Sequence, residues 1–209
     1  MEFLRRHRIS KYNHQPIHPI HIGTHEKKVL VIDQVWGDSS ILYGMSSDEA
    51  FEDMLCAAKE EHPDADILIK THPVANNGFR RRHFNESAAG DGVYFIDYDI
   101  NPISLLEAVD EVYVCTSQLG FEALMCGKRV HTFGMPFYAG WGLTDDRKSC
   151  PRRHRQRTLE DVFYMAYIEY SHYVSYETMQ PCEIETAMEE LLTLRQEYQD
   201  HLDHGGGDS

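Results

Sequence analysis

The chain is 209 residues long, and 34 Asp and Glu against 20 Lys and Arg leave a formal net charge of −14. That length admits one domain with a real core, with or without helical appendages, and the acidity excludes broad binding to nucleic acid or an anionic membrane surface. No apolar run approaches a membrane span, the amino terminus lacks a secretory-signal core, and five scattered cysteines without a C-x-x-C pair fit reduced thiols in a cytosol.

Residues Met1 to Lys27 are basic, rich in His and Pro, and aperiodic, so an extended arm or linker is expected over 1–27. "KVLVID" (Lys28 to Asp33) is a short β-branched run, expected to be a buried strand, and it ends in the polar loop "QVWGDSS". "SSDEAFEDMLCAAKEEH" reads as a helix with a capping box of Ser46 and Glu49, with Phe51, Leu55 and Ala58 on one face. "DILIK" (Asp66 to Lys70) is a second strand followed by "THP", and Val74 to Asp91 is irregular. "VYFID" is a third strand. "NPISLLEAVD" is a short helix with Asn101 as its cap and Pro102 in its first position. "EVYVC" is a fourth strand, "QLGFEALMC" a helix stopped by Gly127, and "RVHTF" a fifth strand. An aperiodic stretch rich in Gly and aromatics, "GMPFYAGWGLTDD", follows. Thr158 and Asp161 then cap "LEDVFYMAYIEYSHY", and a last helix covers about Glu183 to Leu202 before the frayed "GGGDS". The expected division is a Rossmann-like domain over 28–150 and a helical segment over 151–209.

Continuously apolar strands alternating with helices imply an α/β fold, a doubly wound Rossmann-like parallel sheet with C-terminal helices. Right-handed crossovers in the commonest order, 3-2-1-4-5, put strands 1 and 4 side by side where the winding reverses. Ligands bind at the carboxyl ends of such strands, and the loops "QVWGDSS", "KTHP" and "TSQLG" converge there.

Each loop admits a chemical and a structural reading. Thr116 and Ser117 end a strand just before a helix, whose first N–H groups suit a phosphate. Gly120 would allow close approach of a ligand. Glu122 could accept hydrogen bonds from ribose hydroxyls, or be a solvated residue. Lys70 and His72 suit a phosphate or carboxylate, or are structural. Asp38 could serve as base, nucleophile or metal ligand, or as a turn cap, a role open also to Ser39 and Ser40. Phe137, Tyr138 and Trp141, among glycines, need a cover: a sugar face, an adjoining domain, or a mini-core of the loop's own. His14, His18, His21 and His25 match no metal-ligand spacing, so no metal is expected. "RRHRQR" (Arg152 to Arg157) reads as a solvated basic turn, and Glu189, Glu190, Glu197 and Asp200 as a solvated helix face.

Taken together, "SKYNH", "VIDQVWGDSS", "KTHP", "TSQLGFEALMCGKRVHTFGMPFYAGWGLT" and "RRHRQRTLEDVF" resemble the capsule polysaccharide biosynthesis family, which contains bacterial β-Kdo transferases. The resemblance runs from about Ser10 to Tyr173, and its "SQLGFEAL…GK…FG.PFYAGWGLT" block is highly specific. It implies a GT-B architecture of two Rossmann-like halves, with CMP-Kdo as donor substrate on the C-terminal half, no further cofactor, and transfer with retention to a lipid-linked glycan acceptor. Residue by residue, Asp38 matches the carboxylate nucleophile, Lys70 and His72 the histidine-proline motif that holds the CMP phosphate, Ser117 a further phosphate contact, and Glu122 the acidic residue at the ribose. Gln34 and Gly120 are placed with these in the donor site.

The strand pattern accounts for one half only. A complementing N-terminal half or self-association is therefore expected, in the cytoplasm, with at most peripheral contact at the inner face of the inner membrane. The competing function is a non-catalytic CMP-sugar-binding or scaffold subunit of a capsule assembly complex. An unrelated nucleotide-binding protein fits poorly, because neither G-x-G-x-x-G after strand 1 nor a Walker A motif is present.

Overall fold

A computed structural model describes residues 1–71, 83–85 and 88–205. Among these, six strands form one parallel sheet: β1 (Lys28–Ile32), β2 (Asp66–Lys70), β3 (Val93–Ile96), β4 (Glu111–Val114), β5 (Arg129–Thr132) and β6 (Asp145–Asp146). Their order is β3-β2-β1-β4-β5-β6, so the expected doubly wound arrangement holds, extended by a two-residue edge strand from the glycine-rich stretch. Leu30 pairs with Leu68 on one side and Val112 on the other, which brings the ends of β1, β2 and β4 level.

The strands are apolar throughout because both faces are covered. Val29, Val31, Ile67, Ile69 and Tyr113 face a core layer completed by Phe51, Met54 and Ala58 of helix α3 (Glu49–Glu61). Leu30, Ile32, Leu68, Val112 and Val114 face the opposite layer, built on α4 (Pro102–Glu107) and α5 (Leu119–Met125). Local signals placed several of these elements. Asn101 caps α4 by accepting from the N–H groups of Ile103 and Ser104, with Pro102 at the first position. Gly127, at φ +72°, follows α5 in a conformation that residues with a Cβ rarely adopt. Thr158 and Asp161 form the expected capping box of α6 (Leu159–Phe163), which continues as a π-helical turn over Tyr164–Glu169. The last helix, α7, spans Ile184–Gly205, and Tyr173–Val174 pairs antiparallel with Pro181–Cys182 as β7 and β8.

Three expectations need correction. The first 27 residues are not a free arm. They open with helix α1 (Glu2–Arg6), and Leu4 and Ile9 are buried in the same core layer as Val162 of the C-terminal segment. Hydrogen bonds sew them down: Asn101 N–H to Pro16 O at 2.8 Å, and His25 N–H to Asp66 Oδ2 at 2.8 Å. Ser46 caps nothing. Helix α3 begins at Glu49 without a side-chain cap bond, and Ser46 Oγ instead donates to Phe133 O at 3.2 Å. The loop after β1 is also partly helical, as α2 (Ser39–Tyr43), with Asp38 as its cap.

The aromatic loop covers Tyr138 and part of Trp141 itself, while Phe137 stays exposed. Tyr138 is buried beside Phe121, Trp141 donates to Phe137 O at 2.8 Å, and Arg153 donates to Ala139 O at 2.8 Å while lying over the Trp141 ring. One arginine of "RRHRQR" is therefore a clamp on this loop rather than a solvated charge.

Candidate functional site

The carboxyl ends of β1, β2 and β4 and the N-terminal segment enclose a cavity of about 330 Å³. It lies at the switch point, where open α/β sheets bind ligands. Gln34, Asp38, Lys70, Ser117 and Glu122 all line it. His72 lies outside the described residues.

Gln34 is buried and joins the two central strand ends. Its Nε2 donates to Thr116 Oγ1 at 2.9 Å, and its Oε1 accepts from Thr116 N–H at 2.9 Å. Ser40 Oγ completes the triangle, 3.1 Å from Thr116 Oγ1 and 3.3 Å from Gln34 Nε2. Asp38 is exposed at the mouth, and its Oδ1 accepts from Ser40 N–H at 2.8 Å. The cap therefore holds the carboxylate at the start of α2, facing the cavity.

Lys70 is buried, and its Nζ donates to Ile96 O at 3.3 Å and Tyr98 O at 3.0 Å. Burial lowers its pKa to about 8, against the pull of Asp99 and Asp97. Two of its protons are thus directed at the β3 end, leaving one for a ligand. Ser117 Oγ accepts from Leu119 N–H at 3.2 Å. Glu122 is buried, with Ser10 Oγ donating to its Oε2 at 3.3 Å, and burial raises its pKa to about 7, opposed by bonds from Ser10 and the Lys11 backbone. At neutral pH this group divides between carboxylate and acid, so it can accept or donate a hydrogen bond.

Gly120 departs from expectation. It does not line the cavity. A Cβ there would stand 2.1 Å from the Tyr138 hydroxyl, so the glycine makes room for a buried tyrosine rather than for a ligand.

Sequence reasoning assigned no role to the N-terminal residues Ser10, Lys11, Tyr12 and Gln15, which form one wall. The "SKYNH" motif was their signal. It also passed over Asp33, a buried carboxylate directly after β1. Its Oδ1 accepts from Gln34 N–H at 2.8 Å and lies 3.2 Å from His83 Nδ1, while its Oδ2 is buried with no hydrogen-bond partner among the described residues. His83 Nδ1 donates to Gln34 O at 2.8 Å, and its ring stacks on Phe51 at 3.7 Å. Burial works against charge on His83, but bonds to Asp33 and Asp48 outweigh it and raise its pKa. A polar residue closing an otherwise apolar strand was the only local hint.

A doubly wound parallel sheet with a cavity at its switch point defines a Rossmann-like domain. The particular family follows from comparison: residues 4–179 match the model described as capsule polysaccharide biosynthesis protein, and the chain belongs to that family. It is 41% identical over 205 residues to the capsule polysaccharide modification protein LipA of Neisseria meningitidis serogroup B, covering 93% of this chain and 29% of LipA. It is 39% identical over 165 residues to the lipopolysaccharide-processing protein LpsZ of Rhizobium meliloti, covering 79% of this chain and 38% of LpsZ. Among solved structures, KpsC of Thermosulfurimonas dismutans, a beta Kdo 2,4 transferase, superposes with a TM-score of 0.86 at 41% identity, over 91% of this chain and 60% of that one. A KpsC beta Kdo 2,7 transferase structure matches at 0.74 and 30% identity, over 93% of this chain and 59% of that one. The chain thus spans about a third of the length of these curated relatives.

Proposed function

We propose that the chain supplies the nucleotide-sugar-binding half of a retaining β-Kdo transferase, moving Kdo from CMP-Kdo to a lipid-linked glycan acceptor. The observation that carries this reading is one cavity at the switch point lined by Asp38, Lys70, Ser117 and Glu122, in a chain so similar to KpsC. Lys70 and Ser117, with His72, hold the CMP phosphate. Glu122, in its ionised or its acid form, bonds the ribose.

The chemistry follows from these placements. The Asp38 carboxylate attacks the anomeric carbon as the bond from that carbon to the phosphate oxygen breaks, and CMP leaves with the electron pair. Lys70 balances charge on the leaving phosphate. The acceptor hydroxyl then displaces Asp38, and its proton passes to a base. Two displacements retain configuration. The acceptor and that base belong to a second half. Trp36, Leu42, Tyr43 and Met45, exposed on the loop and helix that carry Asp38, give that half or a second copy an apolar face to cover. None of the described helices is long and apolar enough to cross a membrane.

Titration calorimetry with CMP and CMP-Kdo tests the binding role, and Asp38→Asn tests the chemistry. The substitution should leave CMP affinity nearly intact and abolish transfer in the complete enzyme. Mass spectrometry of the wild type should find one Kdo on the peptide containing Asp38. Transfer that survives Asp38→Asn would overturn the nucleophile assignment. CMP-Kdo binding without transfer by the complete enzyme would favour the scaffold reading, and no CMP binding would sink both.

A further inference from the structure

A second cluster of titratable groups lies at the other end of the sheet from the cavity. Glu111 opens β4, and Tyr113, two residues on, pairs in register with His131 of β5. Glu111, Tyr113 and His131 therefore share one face, and α3 ends against them with Glu61 and His62. Both imidazoles converge on one carboxylate oxygen: His131 Nε2 lies 2.8 Å and His62 Nε2 3.5 Å from Glu111 Oε2. All three atoms fall within 4.8 Å of one another.

We propose that His62, Glu111 and His131 form a zinc site that ties the carboxyl end of α3 to β4 and β5. Two imidazoles and one carboxylate are a donor set zinc takes, with water in the fourth position, whereas calcium and magnesium prefer oxygen alone. Zinc bonds of about 2.0–2.1 Å place tetrahedral ligand atoms about 3.3 Å apart, so seating the ion needs only small side-chain shifts.

The surroundings orient each ligand. Lys27 Nζ holds Glu111 Oε1 at 2.7 Å, leaving Oε2 as a single ligand atom. His131 Nδ1 is buried without a hydrogen-bond partner among the described residues, yet Asp145 Oδ2 is 3.3 Å away. A metal on Nε2 requires the proton on Nδ1, where it can be given to Asp145, the carboxylate–histidine–metal arrangement. Tyr113 donates to Glu61 Oε2 at 2.7 Å, which leaves its oxygen to accept from His62 Nε2, 3.0 Å away, when no ion is bound. At the amino-terminal strand ends, away from the cavity, the ion has a structural role.

The test uses the full chain stripped of metal by chelator dialysis. Calorimetry with zinc should give one equivalent bound, and cobalt(II) should give the intense visible bands of four-coordinate geometry. His62→Ala should weaken binding by at least about tenfold, as even loss of an outer partner does. Glu111→Gln, equal in size, carries the same comparison should His62→Ala not fold. A variant with His18→Ala and His21→Ala should bind as the wild type does. No saturable binding would overturn the proposal. So would affinity unchanged in His62→Ala or Glu111→Gln, or binding lost only with His18 and His21, which would mark an adventitious site in the N-terminal segment.

Discussion

Replacing Gly120 by alanine sets helix propensity against packing. A Cβ at this position stands 2.1 Å from the Tyr138 hydroxyl oxygen and 2.7 Å from its Cζ, distances no real contact adopts. Tyr138 is fully buried, and its hydroxyl donates to Ser117 O at 2.5 Å, so the ring has little room to retreat. Alanine gains at most about 1 kcal/mol over glycine in a helix, the helix-interior value, and Gly120 stands in the first turn of α5. Overpacking costs about 1–3 kcal/mol, and displacing the hydroxyl from its partner about 1 kcal/mol more. The net effect should be a loss of about 1–3 kcal/mol, or about 2–12 °C in Tm for a chain of this size. Urea unfolding followed by circular dichroism measures it. Tyr138→Phe removes the nearest atom, so it should do less harm in the Gly120→Ala background than in the wild type, with a coupling of about 1 kcal/mol. Equal or greater stability of Gly120→Ala, with additive effects, would refute the packing argument. Lost CMP affinity at unchanged stability would return the glycine to the ligand.

Two further outcomes are expected. Glu122 has its folded pKa raised from 4.5 to about 7, so the folded state holds more protons than the unfolded chain between these values and stability falls as pH rises through them. Glu122→Gln should therefore be more stable than the wild type at pH 8, by up to about 3 kcal/mol, and close to it at pH 4; equal stability at both would show that burial imposes no such penalty. His83, whose folded pKa is raised, contributes its charge-dependent stability fully below its unfolded value, and that part fades as pH climbs through the raised one. His83→Ala should thus cost about 2–3 kcal/mol at pH 6 and less at pH 8, and chemical denaturation showing the reverse trend would contradict the Asp33 and Asp48 bonds.

What could be read from the chain was what neighbours in sequence decide. Asn101 with Pro102, Thr158 with Asp161, and Gly127 mark helix ends through bonds and dihedral angles spanning at most a few residues. Unbroken apolar strands alternating with helices demanded a parallel sheet covered on both faces, and the handedness of crossovers then set the strand order, which brought Gln34, Asp38, Lys70, Ser117 and Glu122 to one cavity. The rest depended on contacts between distant parts of the chain. Met1 to Lys27 has no periodicity, yet Leu4 and Ile9 fill the core and Ser10 reaches Glu122, because the sheet offers a wall that no local pattern describes. The purpose of Gly120 is set by a tyrosine 18 positions later, and His62, Glu111 and His131 share a site only because β4 and β5 pair in one register while α3 ends above them. Hydrogen-bond periodicity is a property of the local backbone, whereas the packing of side chains far apart in sequence exists only once the chain has folded.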